Sequence, residues 1–233
     1  MARLARLVVP GLPHHLTQRG NGRARTFFSD ADYALYRDLL AEHCAAARVE
    51  IWAWVLMPNH VHLILVPQDE DGLRRALAPL HRRYAGHIHA REQRTGHFWQ
   101  GRFGAVAMDD DHLVAALVYI AMNPVRARLA DAATGWRWSS VHAHLGLTAD
   151  DGLTAARSVL ARVPDLAARI AAGEDSAKSD RLRKAETIGR PLGSADFVAG
   201  LERESGRRLM PQTRGPKPKA KDEDVEQLSA LSP

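Results

Sequence analysis

Residues 50–66 read Glu50-Ile-Trp-Ala-Trp-Val-Leu-Met-Pro-Asn-His-Val-His-Leu-Ile-Leu-Val66, and the rest of the chain is arranged around them. Branched and aromatic side chains dominate both halves, the composition of strands packed in a sheet. Pro58 and Asn59 interrupt the apolar run where a two-residue turn would reverse the chain. The stretch therefore predicts a hairpin of strands 50–57 and 60–66, ended by Pro67, which has no N–H for a ladder. Trp52 and Trp54, two residues apart, are expected on one strand face, as core residues more readily than as a base-stacking platform.

Upstream, residues 12–18 suit another strand, and Arg19-Gly-Asn-Gly22 supplies the punctuation of a turn. Ser29 or Asp30 can cap a helix over 31–47, on which Tyr33, Tyr36, Leu39, Leu40 and His43 recur at three- and four-residue steps. Downstream come an arginine-rich helix over 72–91, an extended segment or strand over 97–108 and a helix over 112–123 capped by the aspartates at 109–111. The order βαββαβα predicts an α+β fold in which one antiparallel sheet carries its helices on one face. Beyond Trp136-Arg-Trp138 and the His142/His144 segment, the sequence turns to alanine-rich helices over 150–173 and a polar stretch over 174–180. A soft boundary near 147 divides the expected organisation into a first domain over 1–147, a helical basic extension over 148–211 and a tail over 212–233.

The chain has 233 residues, 45% hydrophobic and 25% charged, which is enough apolar content for a real core and excludes a wholly disordered, collagenous or heptad-repeat chain. Cys44 is the only cysteine, so an intramolecular disulfide or a site of several thiolates is excluded and a reducing compartment is expected. No apolar run approaches the roughly 18 residues of a membrane span, and the start has no signal-peptide pattern; a cytoplasmic, nucleoid-associated chain with no membrane partner is expected. The net charge of +5 permits nucleic acid without indicating it, but its distribution is uneven. Residues 178–221 hold twelve basic side chains against five acidic ones. Within them, Gly215-Pro-Lys-Pro-Lys-Ala-Lys221 has nothing to bury and reads as a disordered arm able to bind phosphates.

The chemistry-bearing segment is Asn59-His60-Val61-His62. On a strand, positions i and i+2 share a face, so His60 and His62 present two imidazoles side by side, which can bind one divalent metal. Two edge histidines without a ligand look the same, and the motif alone is weak. A second element is Tyr119-Ile-Ala-Met-Asn123. Helical spacing places Leu113, Val114, Leu117, Val118, Ile120 and Ala121 on one apolar side and His112, Tyr119 and Asn123 on the other. Tyr119 and Asn123, four apart, could serve one site; equally, the tyrosine is an exposed helical residue and Asn123 a helix stop before Pro124.

Together these segments carry a resemblance. NHVHLILV, YIAMNPVRARLA, HHLTQRGN, FWQGRF and WRWSSVHAHLG resemble, in the same order along the chain, the REP-associated tyrosine transposases, IS200-like relatives of the single-strand transposases with an HUH motif. The match spans residues 8–147. The resemblance implies a ferredoxin-like (RRM-like) sheet, a divalent metal (Mg²⁺ or Mn²⁺) and a tyrosine nucleophile acting on single-stranded DNA hairpins. His60 and His62 correspond to the metal-binding histidines, Tyr119 to the nucleophile and Asn123 to a polar third ligand. In that family the tyrosine becomes joined to a 5′ phosphate and frees a 3′ hydroxyl. Residues 189–211 are similar to the helical extension of longer members, which could be a helix-turn-helix-like DNA-binding element or a small packing helix with a basic surface.

DNA contact is expected from Arg19 and Arg102, which could instead hold loops, from Arg82 and Arg83 on a helix that could simply be solvated, and from Arg214, Lys217 and Lys219 in the tail. His81, His87, His89 and His97 read as a polar histidine-rich face rather than as ligands, and Trp136 and Trp138 as core or stacking residues. The leading expectation is a metal-dependent single-stranded DNA endonuclease and strand transferase, with a monomer weakly favoured over a homodimer. Its rivals are a metal-dependent hydrolase using activated water and a hairpin-binding regulator that does not cleave.

Overall fold

The computed structural model describes residues 6–148 and 150–210. In chain order, its first elements are strand β1 (His14–Arg19), helix α1 (Asp30–Ala46), strands β2 (Val49–Met57) and β3 (His60–Pro67), helix α2 (Gly72–Glu92), strand β4 (Gly104–Ala107) and helix α3 (Asp110–Arg126). The predicted βαββαβα order is present. One antiparallel sheet runs β2-β3-β1-β4, with β2 and β3 forming the hairpin across Pro58-Asn59. Short helices follow: α4 (Val141–His144), α5 (Ala156–Arg162), α6 (Leu166–Ala172), α7 (Ser176–Ile188) and α8 (Ala195–Ser205). Among the described residues, no helix is long and apolar enough to cross a membrane.

Strand alternation sorts the apolar side chains into two cores. Leu16, Val61, Leu63 and Leu65 face α1 and α2, packing with Tyr36, Leu40, Leu77 and Tyr84. Val55, Met57, Ile64 and Val66 face α3, packing with Leu113, Leu117 and Ile120. The sheet is therefore an α+β layer covered on both faces, and the expectation of helices on one face is corrected: α1 and α2 cover one and α3 the other. Val159, Val163, Leu166, Ile170 and Leu182, from α5 to α7, belong to the second core as well, so residues on both sides of position 147 share it. Full burial of such a side chain contributes roughly 1.5–3 kcal/mol, far more than a surface charge pair, and this apolar contact docks the later helices.

Two local expectations are also corrected. A register shift between Ile51 and Ala53 places Trp52 and Ala53 together on the α3 side, which sends Trp54 to the opposite core. An inserted residue flips the alternation, and the two tryptophans do not share a face. Residues 97–103 do not form a strand; β4 begins only at Gly104. Phe98 and Trp99 instead pack against the α1/α2 core, while Asn21 and Gln100 N–H groups donate to Phe98 and Arg19 carbonyls at 2.9 and 2.8 Å. Gly101 holds a φ of +146°, available to glycine and not to a branched residue. Trp136 and Trp138 are packing residues whose indole N–H groups donate to the Leu56 carbonyl and the Asp30 carboxylate.

Later segments of the chain bond to both edges of the sheet. Along β2, the Leu56 N–H donates to Trp138 O and the Ser140 N–H to Trp54 O. Along β4, Leu192 bridges Met108: its N–H donates to Ala107 O at 2.9 Å and its carbonyl accepts from Asp109 N at 3.1 Å. Leu201 and Leu209 then pack with Leu7, so the end of the described chain lies against its start.

Candidate active site

The β1/β3 register sets Arg19 opposite His60, Thr17 opposite His62 and His15 opposite Ile64. Directly opposed residues of an antiparallel pair share a face, so all three point to the α3 side with the histidine pair. His15 stacks on His62 with ring centroids 5.2 Å apart and planes within 10°, and its Nε2 lies 3.1 Å from His62 Nδ1. His60 Nδ1 lies 2.6 Å from Asn59 Oδ1, and Asn59 Nδ2 donates to Arg23 O at 3.0 Å. The Asn59 carbonyl oxygen can only accept, so His60 carries its proton on Nδ1 and its lone pair on Nε2. Both histidines of the pair are thus held through Nδ1 by a neighbour. Gly20 follows Arg19 because a Cβ there would sit 2.2 Å from Ala24 O.

Burial keeps these rings neutral. It pushes His60 down to about 3, helped by the charges of Arg19 and Arg126, and holds His62 well below the usual imidazole value. His15 falls to about 4 by burial alone. A neutral imidazole is the form that ligates a metal.

Tyr119, Asn123 and Arg126 fall at i, i+4 and i+7 of α3 and share the face turned to the histidines. The Tyr119 ring meets His62 edge-on at 5.3 Å and His15 at 6.0 Å. The Arg126 guanidinium carbon lies 4.2 Å from the Tyr119 ring centre, a cation–π distance. Of the two readings of Tyr119, the exposed one does not hold: it is 3% exposed, because its side of α3 packs on the sheet while α6 and α7 cover the remainder. Asn123 does not stop the helix either, since α3 runs through Pro124 to Arg126. That extra turn brings Arg126 over the tyrosine.

Asn123 is 2% exposed, and its Nδ2 finds no hydrogen-bond partner among the described residues. A buried amide left unmatched costs stability unless something else satisfies it, and rotating the amide places its oxygen at the same point. Among the described residues no group of three or more His, Cys, Asp or Glu is arranged to hold a metal ion by itself. Two neutral imidazoles, with the unmatched Asn123 amide on the α3 face turned to them, are donors of the kind that suit a divalent cation with positions open to a substrate phosphate.

The remaining sequence candidates lie elsewhere. Arg102 is exposed in the 97–103 loop. Arg82 and Arg83 are exposed on α2, across the sheet from Tyr119, and Arg83 pairs with Glu42 of α1. Arg214, Lys217 and Lys219 lie outside the described residues. His81 is a core residue bonded to the Tyr36 hydroxyl at 3.0 Å. The sequence reading missed His15 and Arg126: the first needed the β1/β3 register, and the second needed the helix to continue past Pro124.

The buried histidines make stability pH-dependent. His14 and His15 sit at about 4, and His81 at about 3, all depressed mainly by burial, whereas the unfolded chain titrates near 6.5. Above pH 6.5 both states are neutral and nothing is lost. Below it the unfolded chain takes up protons that the folded chain refuses, so each histidine removes up to about 1.4 kcal/mol per pH unit until its folded value is reached. Thermal melts without divalent metal should show Tm falling steeply from pH 6.5 toward 4.5; a flat profile would contradict this account.

A central antiparallel sheet, with a histidine pair on an inner strand and a helix-borne tyrosine and arginine laid over it, is a layout suited to handling a phosphodiester. Residues 9–123 match the family model described as "Transposase IS200 like", and this part of the chain belongs to the IS200-like transposases, a family of DNA-processing enzymes. Among solved structures it is similar to a REP-associated tyrosine transposase bound to a REP hairpin. The identity is 23%, with 63% of this chain and 86% of that one covered and a TM-score of 0.54, a likeness of fold. A crystallised protein from Deinococcus radiodurans R1 aligns at 22% identity over 45% of this chain and 85% of its own, with a TM-score of 0.35. No curated protein matches the sequence.

Proposed function

We propose that the chain is a metal-dependent single-stranded DNA endonuclease and strand transferase of the REP-associated subgroup, acting on hairpin DNA through a covalent phosphotyrosine. The observation that carries this reading is the edge-on contact of Tyr119 with His62 at 5.3 Å within one chain. In the proposed reaction the Tyr119 oxygen attacks the scissile phosphorus, one P–O bond of the DNA backbone breaks, and the released strand end leaves as a hydroxyl. The phenol gives up its proton as the new ester forms, the leaving oxygen takes one up, and the freed hydroxyl can later reverse the step. No water enters, so bond energy is kept for rejoining.

His60, His62 and Asn123 would hold Mg²⁺ or Mn²⁺, which when bound supplies Lewis-acid stabilisation of the charge that builds on the phosphate oxygens. Asn59 and His15 fix the ring orientations of the histidine pair through their Nδ1 atoms. Arg19, opposite His60, gives a positive rim to the site and would contact the flanking phosphate. Since the nucleophile and the histidines come from one chain, the site needs no second copy, which supports a monomer. Arg82, Arg83 and Arg102 would contact the hairpin away from the chemistry.

The test is a denaturing gel of the protein with end-labelled hairpins from the host's own palindromic repeats, in Mn²⁺, Mg²⁺ or EDTA. A metal-dependent protein–DNA adduct is expected. Binding without cleavage in every buffer would favour the regulator. Removing residues 212–233, with Arg214, Lys217 and Lys219, should weaken hairpin binding mostly at low salt and reduce the slope of log Kd against log salt, with cleavage retained. Complete loss of chemistry in that truncation would contradict a role limited to phosphate contact.

A further inference from the structure

The C-terminal segment reaches the tyrosine. Glu174 lies in the short junction between α6 and α7, both of which pack on α3. Its two carboxylate oxygens accept from Arg126 Nη1 at 2.9 and 3.0 Å, and its Oε2 also accepts from the buried Ser179 hydroxyl at 3.1 Å. Gly173, with φ of +86°, turns the chain out of α6 so that the next residue faces α3. The Arg126 guanidinium, gripped at Nη1, lies over the Tyr119 ring. Among the described residues, Nε and Nη2 have no partner.

We infer that Glu174 is a positioning residue of the Tyr119 site: it holds Arg126 over the tyrosine ring so that Nε and Nη2 bind the scissile phosphate beside the phenol. The inference rests on the proposed tyrosine chemistry and extends the working site to residues more than 20 positions past the expected boundary at 147. Three features carry it. A flexible arginine side chain occupies many rotamers, and a carboxylate anchored by Ser179 selects one of them. A planar guanidinium presents paired donors to two phosphate oxygens, a geometry that a point charge cannot supply. Arg126 also shares with Tyr119 the α3 face turned to the histidine pair, which places a positive charge where a phosphate would bind.

The experiment compares wild type, Glu174→Gln, Arg126→Gln and the double variant in single-turnover adduct formation on a saturating hairpin, with hairpin Kd and Tm measured alongside. Glu174→Gln keeps the side-chain volume and the Ser179 contact. It is expected to slow adduct formation about tenfold with Kd and Tm unchanged, because a misplaced phosphate contact costs rate rather than binding. In the Arg126→Gln background the Glu174→Gln change should cost nothing further. An active wild type with an equally fast Glu174→Gln variant overturns the inference, as does a Glu174→Gln loss that persists undiminished in the Arg126→Gln background. A wild type that forms no adduct at all overturns the proposed function itself and the inference with it.

Discussion

Tyr119→Phe is expected to abolish the covalent protein–DNA adduct, a fall of at least about 10³-fold, while hairpin binding persists. The substitution removes one oxygen and leaves the ring, its edge contacts with His62 and His15 and its place under Arg126. Loss of a single buried hydroxyl costs on the order of 1 kcal/mol, so the fold should survive. Hairpin affinity should stay within a few-fold of wild type, because it comes from many phosphate contacts and not from the phenol. The assay is a denaturing gel with a labelled hairpin, paired with a filter-binding curve. Metal-dependent cleavage that continues in Tyr119→Phe would point to activated water and sink the tyrosine mechanism.

His60→Ala should have the second largest effect, lowering metal-dependent cleavage by about 10²–10³-fold and weakening Mn²⁺ binding measured by electron paramagnetic resonance. His60 is only partly buried and its one resolved side-chain bond is to Asn59, so Tm should move little. His62→Ala is expected to lose as much activity and to destabilise as well. It empties a fully buried position beneath Tyr119 and removes the partner of His15 Nε2, a deletion in the range of about 1–3 kcal/mol. The contrast between the two variants separates metal binding from packing. Unchanged Mn²⁺ affinity in both would rule out the pair as the cation site.

Much of the fold was legible because its signals are local. The branched and aromatic run of the hairpin, the Pro58-Asn59 turn and the His60/His62 pair lie within eighteen residues, and their reading needs no distant partner. The tyrosine was legible as a candidate, but its surroundings were not. Helical spacing assigns the polar side of α3 to solvent unless it is known that the sheet lies on that side and two later helices on the other. Trp52 and Trp54 were misplaced because a bulge is a property of the pairing, visible only once β3 is beside β2. His15 became a site residue through the β1/β3 register, and Glu174 through an ion pair spanning 48 positions. Side chains that meet across such separations leave no spacing signature in one sequence.

The occupied sheet edges limit how this molecule can associate. With residues 138–140 bonded along β2 and Leu192 at the end of the four-residue β4, neither flank offers a long open ladder of backbone donors and acceptors. An unpaired flank invites strand addition by another chain, whether in a specific dimer or in aggregation. Here the chain has used its own later segments as both border strips. A nucleic acid or a second copy must therefore approach through side chains, over a face or around the loops, and recognition is left to residues that substitution can change one at a time without unzipping the sheet.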